Sequence, residues 1–273
     1  MIQFTKLHGN GNDFILIDEY NGPVVEDEVK PGFAEKYCDR RLGIGGDGVI
    51  FLSRSKSADI KMRLFQPDRS EAEMCGNGIR CMVKYALDAG YITQGTATVE
   101  TMAGMLPVEV KGQRNEVLVK VNMGKPLFER KYIPASGEGE LINEMLENKL
   151  VSAVNTGVPH AVIFVDDLKG VDIDTMAPPI RYHNLFLKGA NVNFVSVASE
   201  DYLNIRTYER GVECETLSCG TGSVASAVIA HRLGLVGNEV RVNTLGGILN
   251  ITLEGGYAFM EGKAQTVFSG TIP

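Results

Sequence analysis

The chain has 273 residues, 44% of them apolar and 22% charged, with a net charge of −7. That is enough for one large or two moderate globular domains, and the acidic balance argues against a general nucleic-acid binder, which needs a basic face. The longest apolar stretch, around Val224 to Ala230, is too short to span a bilayer, and Met1 to Lys6 carries no basic-then-apolar export pattern. Five cysteines without an export signal read as reduced thiols, so the chain is expected in the cytoplasm, with no membrane and no nucleic-acid partner.

In chain order, short runs rich in valine, isoleucine and leucine and bounded by glycine, asparagine or proline predict strands at Phe14–Asp18, Asp59–Phe65, Thr98–Glu100, Leu106–Val110 and Glu116–Asn122. A helix is expected over Gly32–Arg40. A second follows Cys75, where Ile79, Met82, Val83, Ala86 and Leu87 form one apolar stripe at helical spacing and Gly90 ends the run. Beyond a boundary near Gly124-Lys-Pro126, the glutamate-rich segment Glu138–Asn148 predicts a further helix. Strands follow at Ala161–Val165, Asn193–Val197, Leu203–Tyr208, Glu239–Asn243 and Ile248–Leu253. The run from Ser223 to Leu233, after Cys219, is small or apolar nearly all round, which predicts a deeply buried helix.

The two halves repeat one another. Glu71-Ala-Glu-Met-Cys75-Gly76-Asn77-Gly78 matches Glu215-Thr-Leu-Ser-Cys219-Gly220-Thr221-Gly222, and Glu, Cys, Gly-x-Gly and the terminal glycine are each 144 positions apart. Val99 to Val110 pairs with Val242 to Leu253, and Arg63-Leu-Phe-Gln66 with Arg206-Thr-Tyr-Glu209. Upstream, Leu7-His-Gly9 and Phe14 pair with Leu187-Lys-Gly189 and Phe194, so the offset is read as drifting from 180 to 143. A fixed order of landmarks points to duplication of a whole domain rather than a solenoid, whose period is only about 20–50 residues. The expected fold is α+β: two pseudo-symmetric domains, each a mostly antiparallel sheet wrapped around a central helix. Residues 1–122, with 265–273 returning to them, form one half and 123–264 the other, with the active site in the cleft between.

Each repeated cysteine stands at the start of a helix, where free backbone N–H groups and partial positive charge favour a carboxylate ligand and a thiolate. Two such sulfurs suit a reaction that removes a proton from one face of a carbon and returns one to the other. Cys38, Cys81 and Cys214 lack that context and read as core or incidental. A zinc site from Cys75, Cys81, Cys214 and Cys219 fits poorly, because Cys75 and Cys81 have five residues between them and point apart on one helix. No Cys-x-x-Cys occurs, no lysine has a recognisable pyridoxal phosphate context, and Gly43-Ile-Gly-Gly46 lacks the helix a dinucleotide site needs.

At Leu7-His-Gly-Asn-Gly-Asn12-Asp13-Phe14, Gly43-Ile-Gly-Gly-Asp47-Gly48, Asp68-Arg-Ser-Glu71, Met74-Cys-Gly-Asn-Gly78, Thr156-Gly-Val-Pro-His160, Tyr208-Glu-Arg-Gly211 and Ser218-Cys-Gly-Thr-Gly222, the chain resembles the diaminopimelate epimerase family over nearly its whole length. The resemblance implies conversion of LL- to meso-diaminopimelate, a step toward lysine and in many bacteria the cell-wall peptide, without cofactor or metal. It makes Cys75 and Cys219 the acid/base pair, with His160 and Glu209 beside them. Asn12, Gln66, Gly76, Asn77, Asn191, Glu209, Arg210, Gly220 and Thr221 become substrate contacts, the partner becomes a small diamino-dicarboxylate, and the assembly a homodimer. Many family members carry asparagine where this chain has Val158 and Gln66, and some carry glutamine at Gly48, all at the substrate's distal end. The rivals are a racemase of another amino acid, such as histidine, in the same superfamily, and a protein that binds an amino acid without reacting it. Retention of both cysteines speaks against the second.

Overall fold

The structure, a computed structural model, describes residues 1–112 and 116–273. The chain divides into two compact units, one of residues 1–121 with 261–273 and the other of residues 122–260.

The first unit contains β1 (Ile2–Gly9), β2 (Asn12–Glu19), α1 (Lys30–Cys38), β3 (Gly48–Ser53), β4 (Ile60–Phe65), β5 (Glu71–Ala72), α2 (Gly76–Asp88), β6 (Gly95–Thr101), β7 (Gly104–Lys111) and β8 (Leu118–Asn122). Neighbours β1–β2, β3–β4, β4–β5, β6–β7 and β7–β8 pair antiparallel, while β2–β3 and β4–β6 pair parallel. The second unit contains β9 (Glu144–Leu146), β10 (Lys149–Asn155), β11 (Pro159–Phe164), the single-turn helices α3 (Ile173–Met176) and α4 (Pro178–Arg181), and β12 (Asn191–Ser199). It continues with β13 (Tyr202–Glu209), β14 (Cys214–Thr216), α5 (Gly220–Arg232), β15 (Glu239–Thr244) and β16 (Gly247–Glu254), and β17 (Tyr257–Lys263) runs across the boundary at Met260. The last strand, β18 (Gln265–Ile272), lies antiparallel to β1 and so belongs to the first unit.

The second unit repeats the pairing scheme of the first: β10–β11 antiparallel, β11–β12 parallel, β12–β13 and β13–β14 antiparallel, β13–β15 parallel and β15–β16 antiparallel. The mixed but mainly antiparallel sheet around one helix is therefore present twice, as expected. The registers correct the upstream alignment. Phe14 lies opposite Gly48, and His160 opposite Asn191; Val49 pairs with Phe65, and Val192 with Tyr208. Phe14 thus corresponds to His160, not Phe194, and the Leu187–Gly189 match is coincidental. The offset stays within a few residues of 144 throughout rather than drifting from 180.

Both central helices are buried nearly all round. For α5 this follows from its small and apolar composition. In α2 the apolar stripe accounts for only part of the burial: its polar side is covered too, with Arg80 Nη2 donating to Asn10 Oδ1 at 3.0 Å and Lys84 paired with Asp88. Each helix ends as the sequence predicts, Gly90 and Gly234 adopting φ of +74° and +73°, the left-handed conformation that suits glycine just past a C-terminus. The helix expected over Glu138–Asn148 is absent. There β9 and β10 form a hairpin in which Leu146 pairs with Lys149. The intervening Glu147 and Asn148 have φ of +47° and +59°, which is the signature of a type I′ turn. Strands β1, β3, β5, β10, β14, β17 and β18 fall outside every strand expected from the sequence, and β9 lies in the segment expected to be helical.

Candidate active site

In the first unit Cys75 is the N-cap of α2, with φ −144° and ψ 113°, and its Sγ accepts from Gly78 N–H at 3.5 Å. The extended backbone is what an N-cap requires, and the glycines after it let chain and ligand approach the helix start. Asn12, where β2 begins, brings its Oδ1 to 3.7 Å from Cys75 Sγ and accepts from Asn77 Nδ2 at 3.1 Å. The Asn12 amide is oriented by Asp47, whose Oδ2 accepts from Asn12 Nδ2 at 2.6 Å. Asp47 in turn belongs to an ionic network in which Arg40 grips Asp13 with both terminal nitrogens and Lys6 lies 2.6 Å from Asp13. Burial alone would raise the Asp13 pKa, but Arg40 and Lys6 outweigh it and hold the carboxyl down at about 2. Asp47 was not singled out from the sequence; its place between Gly46 and Gly48 in the Gly43–Gly48 motif was the available signal.

In the second unit Cys219 is the N-cap of α5, with φ −117° and ψ 111°. Thr221 Oγ1 lies 3.4 Å from Cys219 Sγ and 2.9 Å from His160 Nε2. The other ring nitrogen, Nδ1, lies 3.1 Å from Asn193 Nδ2. His160 is fully buried; desolvation, reinforced by the positive charge of Arg210, holds its pKa down at about 3, so the imidazole is neutral. Asn191 ties backbone to backbone, donating to Pro159 O at 3.0 Å and accepting from Arg210 N–H at 2.8 Å. Arg210 donates to the carbonyls of Lys188 and Gly189. Glu209 closes β13 opposite Cys214. Gly220 opens α5 as Gly76 opens α2.

The contacts therefore gather Cys75, Asn12, Gly76 and Asn77 in one unit, and Cys219, Gly220, Thr221 and His160 in the other, with Asn191 bracing the strand ends that carry His160 and Arg210. Gln66 stands apart from these contacts: it is exposed, and its Oε1 accepts from Ser70 Oγ within the turn after β4. Gly48 packs closely against β4: a Cβ there would sit 2.8 Å from Leu64 Cδ1 and 3.0 Å from the Phe65 carbonyl oxygen. The glutamate that begins each repeated phrase is structural. Arg63 holds Glu71 through Nε and Nη2 at 2.7 and 2.9 Å, and Arg206 holds Glu215 at 2.6 and 2.9 Å. Two buried polar atoms adjoin the helix starts without a hydrogen-bond partner among the described residues, Asn77 Oδ1 and Ser218 Oγ. Burial pushes the Cys38 and Cys81 thiols up to about 12, and Cys214 is exposed on β14. Among the described residues no three His, Cys, Asp or Glu side chains converge as a metal set.

A family model described as diaminopimelate epimerase matches residues 4–129 and 152–267. The chain belongs to the diaminopimelate epimerase family. Curated diaminopimelate epimerases from Methanocella arvoryzae and Methanothrix thermoacetophila are 57% and 55% identical to it, each alignment covering 99% of this chain and 96% of the relative. One from Pelotomaculum thermopropionicum is 43% identical, the alignment covering 100% of this chain and 99% of the relative. Among solved structures, a PhzF-family phenazine biosynthesis protein from Bacillus anthracis superposes with a TM-score of 0.74 at 18% identity, covering 100% of this chain and 99% of that one. A probable proline racemase from Agrobacterium radiobacter does so with a TM-score of 0.67 at 16% identity, covering 100% and 93%. Those two likenesses establish the epimerase fold and nothing about substrate.

Proposed function

We propose that the chain is an isomerase that epimerises LL-diaminopimelate to the meso form, using Cys75 and Cys219 as the two acid/base groups. The observation that carries the reading is the same cysteine N-cap on a buried central helix in both units of a member of this family. One sulfur, as thiolate, takes the α-proton, and the other, as thiol, supplies a proton to the opposite face. In the reverse direction the roles exchange. The first-turn N–H groups of α2 and α5, at Gly76, Asn77, Gly220 and Thr221, are suited to the reacting α-carboxylate, because such groups have no partner within the helix. The unpartnered Asn77 Oδ1 and Ser218 Oγ add polar capacity at those same starts. Arg210, whose two backbone carbonyl contacts use only part of its five-donor fork, is suited to a substrate carboxylate. Asn12, Asn191, Glu209 and Gln66 complete the reading as polar contacts to a small diamino-dicarboxylate. It includes a cytoplasmic homodimer, which light scattering checks, and a place in lysine biosynthesis.

Proton NMR in D₂O with LL-diaminopimelate tests the chemistry on wild type, Cys75→Ala and Cys219→Ala. Deuterium should enter one α-position of the wild-type reaction as meso product accumulates, and both signals should fall at least about 100-fold in either variant, the scale of a lost positioned acid or base. Absence of exchange in folded, reduced wild type sinks diaminopimelate as substrate, and exchange with histidine instead moves the reading to a racemase.

A further inference from the structure

Under the start of α5 lies a buried polar trio, His160, Asn193 and Thr207, at 0%, 0% and 3% exposure. The registers that align the two units place Phe14, Ile50 and Leu64 at the corresponding positions under α2. There the packing is ordinary and apolar: a Cβ on Gly78 would meet Ile50 Cδ1 at 3.4 Å and Phe14 Cζ at 3.6 Å. The fold thus closes this layer with hydrocarbon in one unit and with three polar side chains in the other. Buried polar groups are costly unless fully hydrogen-bonded, and apolar replacements of similar shape are commonly neutral or stabilising. The polar version needs a reason other than folding.

The hydrogen bonds run in one direction. Asn193 Nδ2 donates to Ala161 O at 3.0 Å, and a carbonyl can only accept. At the other end of the same amide, Asn193 Oδ1 accepts from Thr207 Oγ1 at 3.0 Å. The amide orientation is therefore determined by its partners, and the nitrogen facing His160 Nδ1 is a donor. The neutral ring must accept at Nδ1 and carry its proton on Nε2. Nε2–H then donates to Thr221 Oγ1, which leaves the threonine's own proton for Cys219 Sγ. Gly222 makes room for this: a Cβ there would collide with Asn193 Oδ1.

We infer that Asn193 and Thr207 are positioning residues for the reaction, holding His160 as the Nε2–H tautomer so that the Thr221 hydroxyl donates to the Cys219 sulfur and favours its thiolate. His160 then acts through Thr221 as a donor and is not a base toward it. Arg210, the charged group whose field reaches the ring, works in the same direction by opposing an imidazolium. The inference rests on the reading of Cys219 as an acid/base group, but its test uses no substrate, so loss of α-exchange and loss of the relay are separate results.

Nitrogen-15 NMR of histidine-labelled wild type, with the His160 signals assigned by their disappearance in His160→Gln, should show an unprotonated Nδ1 and a protonated Nε2; the opposite tautomer overturns the inference. Iodoacetamide alkylation across pH 6–9, resolved by mass spectrometry, reads the two cysteines in one molecule, with Cys75 as internal reference. In Thr221→Val the midpoint of the Cys219 profile should rise so that its rate near neutral pH falls about tenfold relative to Cys75, one pKa unit. Thr221→Ser should restore it, and Asn193→Leu should shift it upward as Thr221→Val does. An unchanged Cys219 profile in Thr221→Val, or no recovery in Thr221→Ser, counts against the relay.

Discussion

At the scale of single residues, His160 shows how burial changes what a side chain can do. The imidazole is enclosed on all sides and held neutral to about pH 3, whereas an unfolded histidine titrates near 6.5. Its folded pKa is depressed, so its contribution to stability is fully present above the unfolded value and is lost as pH falls toward the folded one. Across that window the unfolded chain binds one more proton, and this residue should take away about 1.4 kcal/mol of stability per pH unit. Urea midpoints for wild type and His160→Phe isolate the effect, because the carboxylates that titrate in the same range are common to both. The difference between them should move against wild type between pH 6.5 and pH 4. A difference that does not vary with pH would mean that the ring is protonated in the folded chain.

At the scale of elements, each cysteine is placed by the same construction. A two- or three-residue strand, β5 or β14, precedes the turn into the helix, and a strand so short cannot hold itself by ladder bonds alone. The arginine from the neighbouring long strand holds it through a two-bonded ion pair, Arg63 to Glu71 and Arg206 to Glu215, both partly buried. Bidentate charge-assisted pairs are the strong class of hydrogen bond. Replacing Glu215 by alanine should destabilise the chain by about 1–3 kcal/mol, the range for bonds to charged groups. A double-mutant cycle with Arg206→Ala should return a coupling energy of about 1 kcal/mol or more. Coupling near zero would show that β14 is held by its backbone pairing alone.

At the scale of the whole molecule, the chain ends where it began. After tracing all of the second unit it comes back to lay β18 along β1, from Ile2 opposite Ile272 to His8 opposite Gln265. Phe4 packs edge-on against Phe268 at 5.8 Å, and Gly270 leaves the space that the Phe4 ring fills. Removing residues 265–273 strips β1 of its outer partner and leaves a bare edge next to the apolar cluster of Phe4, Ile15, Ile17, Phe51 and Ile272. The truncated chain should lose the protection of first-unit amides in hydrogen exchange while the second unit keeps its own. Retained protection along β1 and β2 would show that the first unit closes without its last strand.

Local chemistry made much of this protein legible from residues alone. The paired cysteines, the helix behind each, the glycines that end those helices and most of the strand positions rest on spacing and on the conformations that proline and glycine allow, and those constraints act within a few residues. Strand β1 escaped notice because its inward positions are not all apolar: it buries Lys6, which pairs with Asp13 on the next strand and donates to the Gly45 carbonyl. The false helix over Glu138–Asn148 is rich in glutamate, leucine and methionine, yet two consecutive residues at positive φ turn its end into a hairpin, and pairing with a neighbouring strand outweighs intrinsic preference. Register was beyond reach of the sequence, because which residues lie opposite one another across parallel strands is decided by the packing of segments far apart in the chain. The tertiary structure therefore decided that His160 answers to Phe14, that Asp47 orients Asn12, and that Asn193, an ordinary polar residue in an apolar strand, lies in hydrogen-bond reach of a candidate catalytic group while Thr207 holds its amide. The polarity of a buried network is set only when each donor has met its acceptor, and that happens in three dimensions.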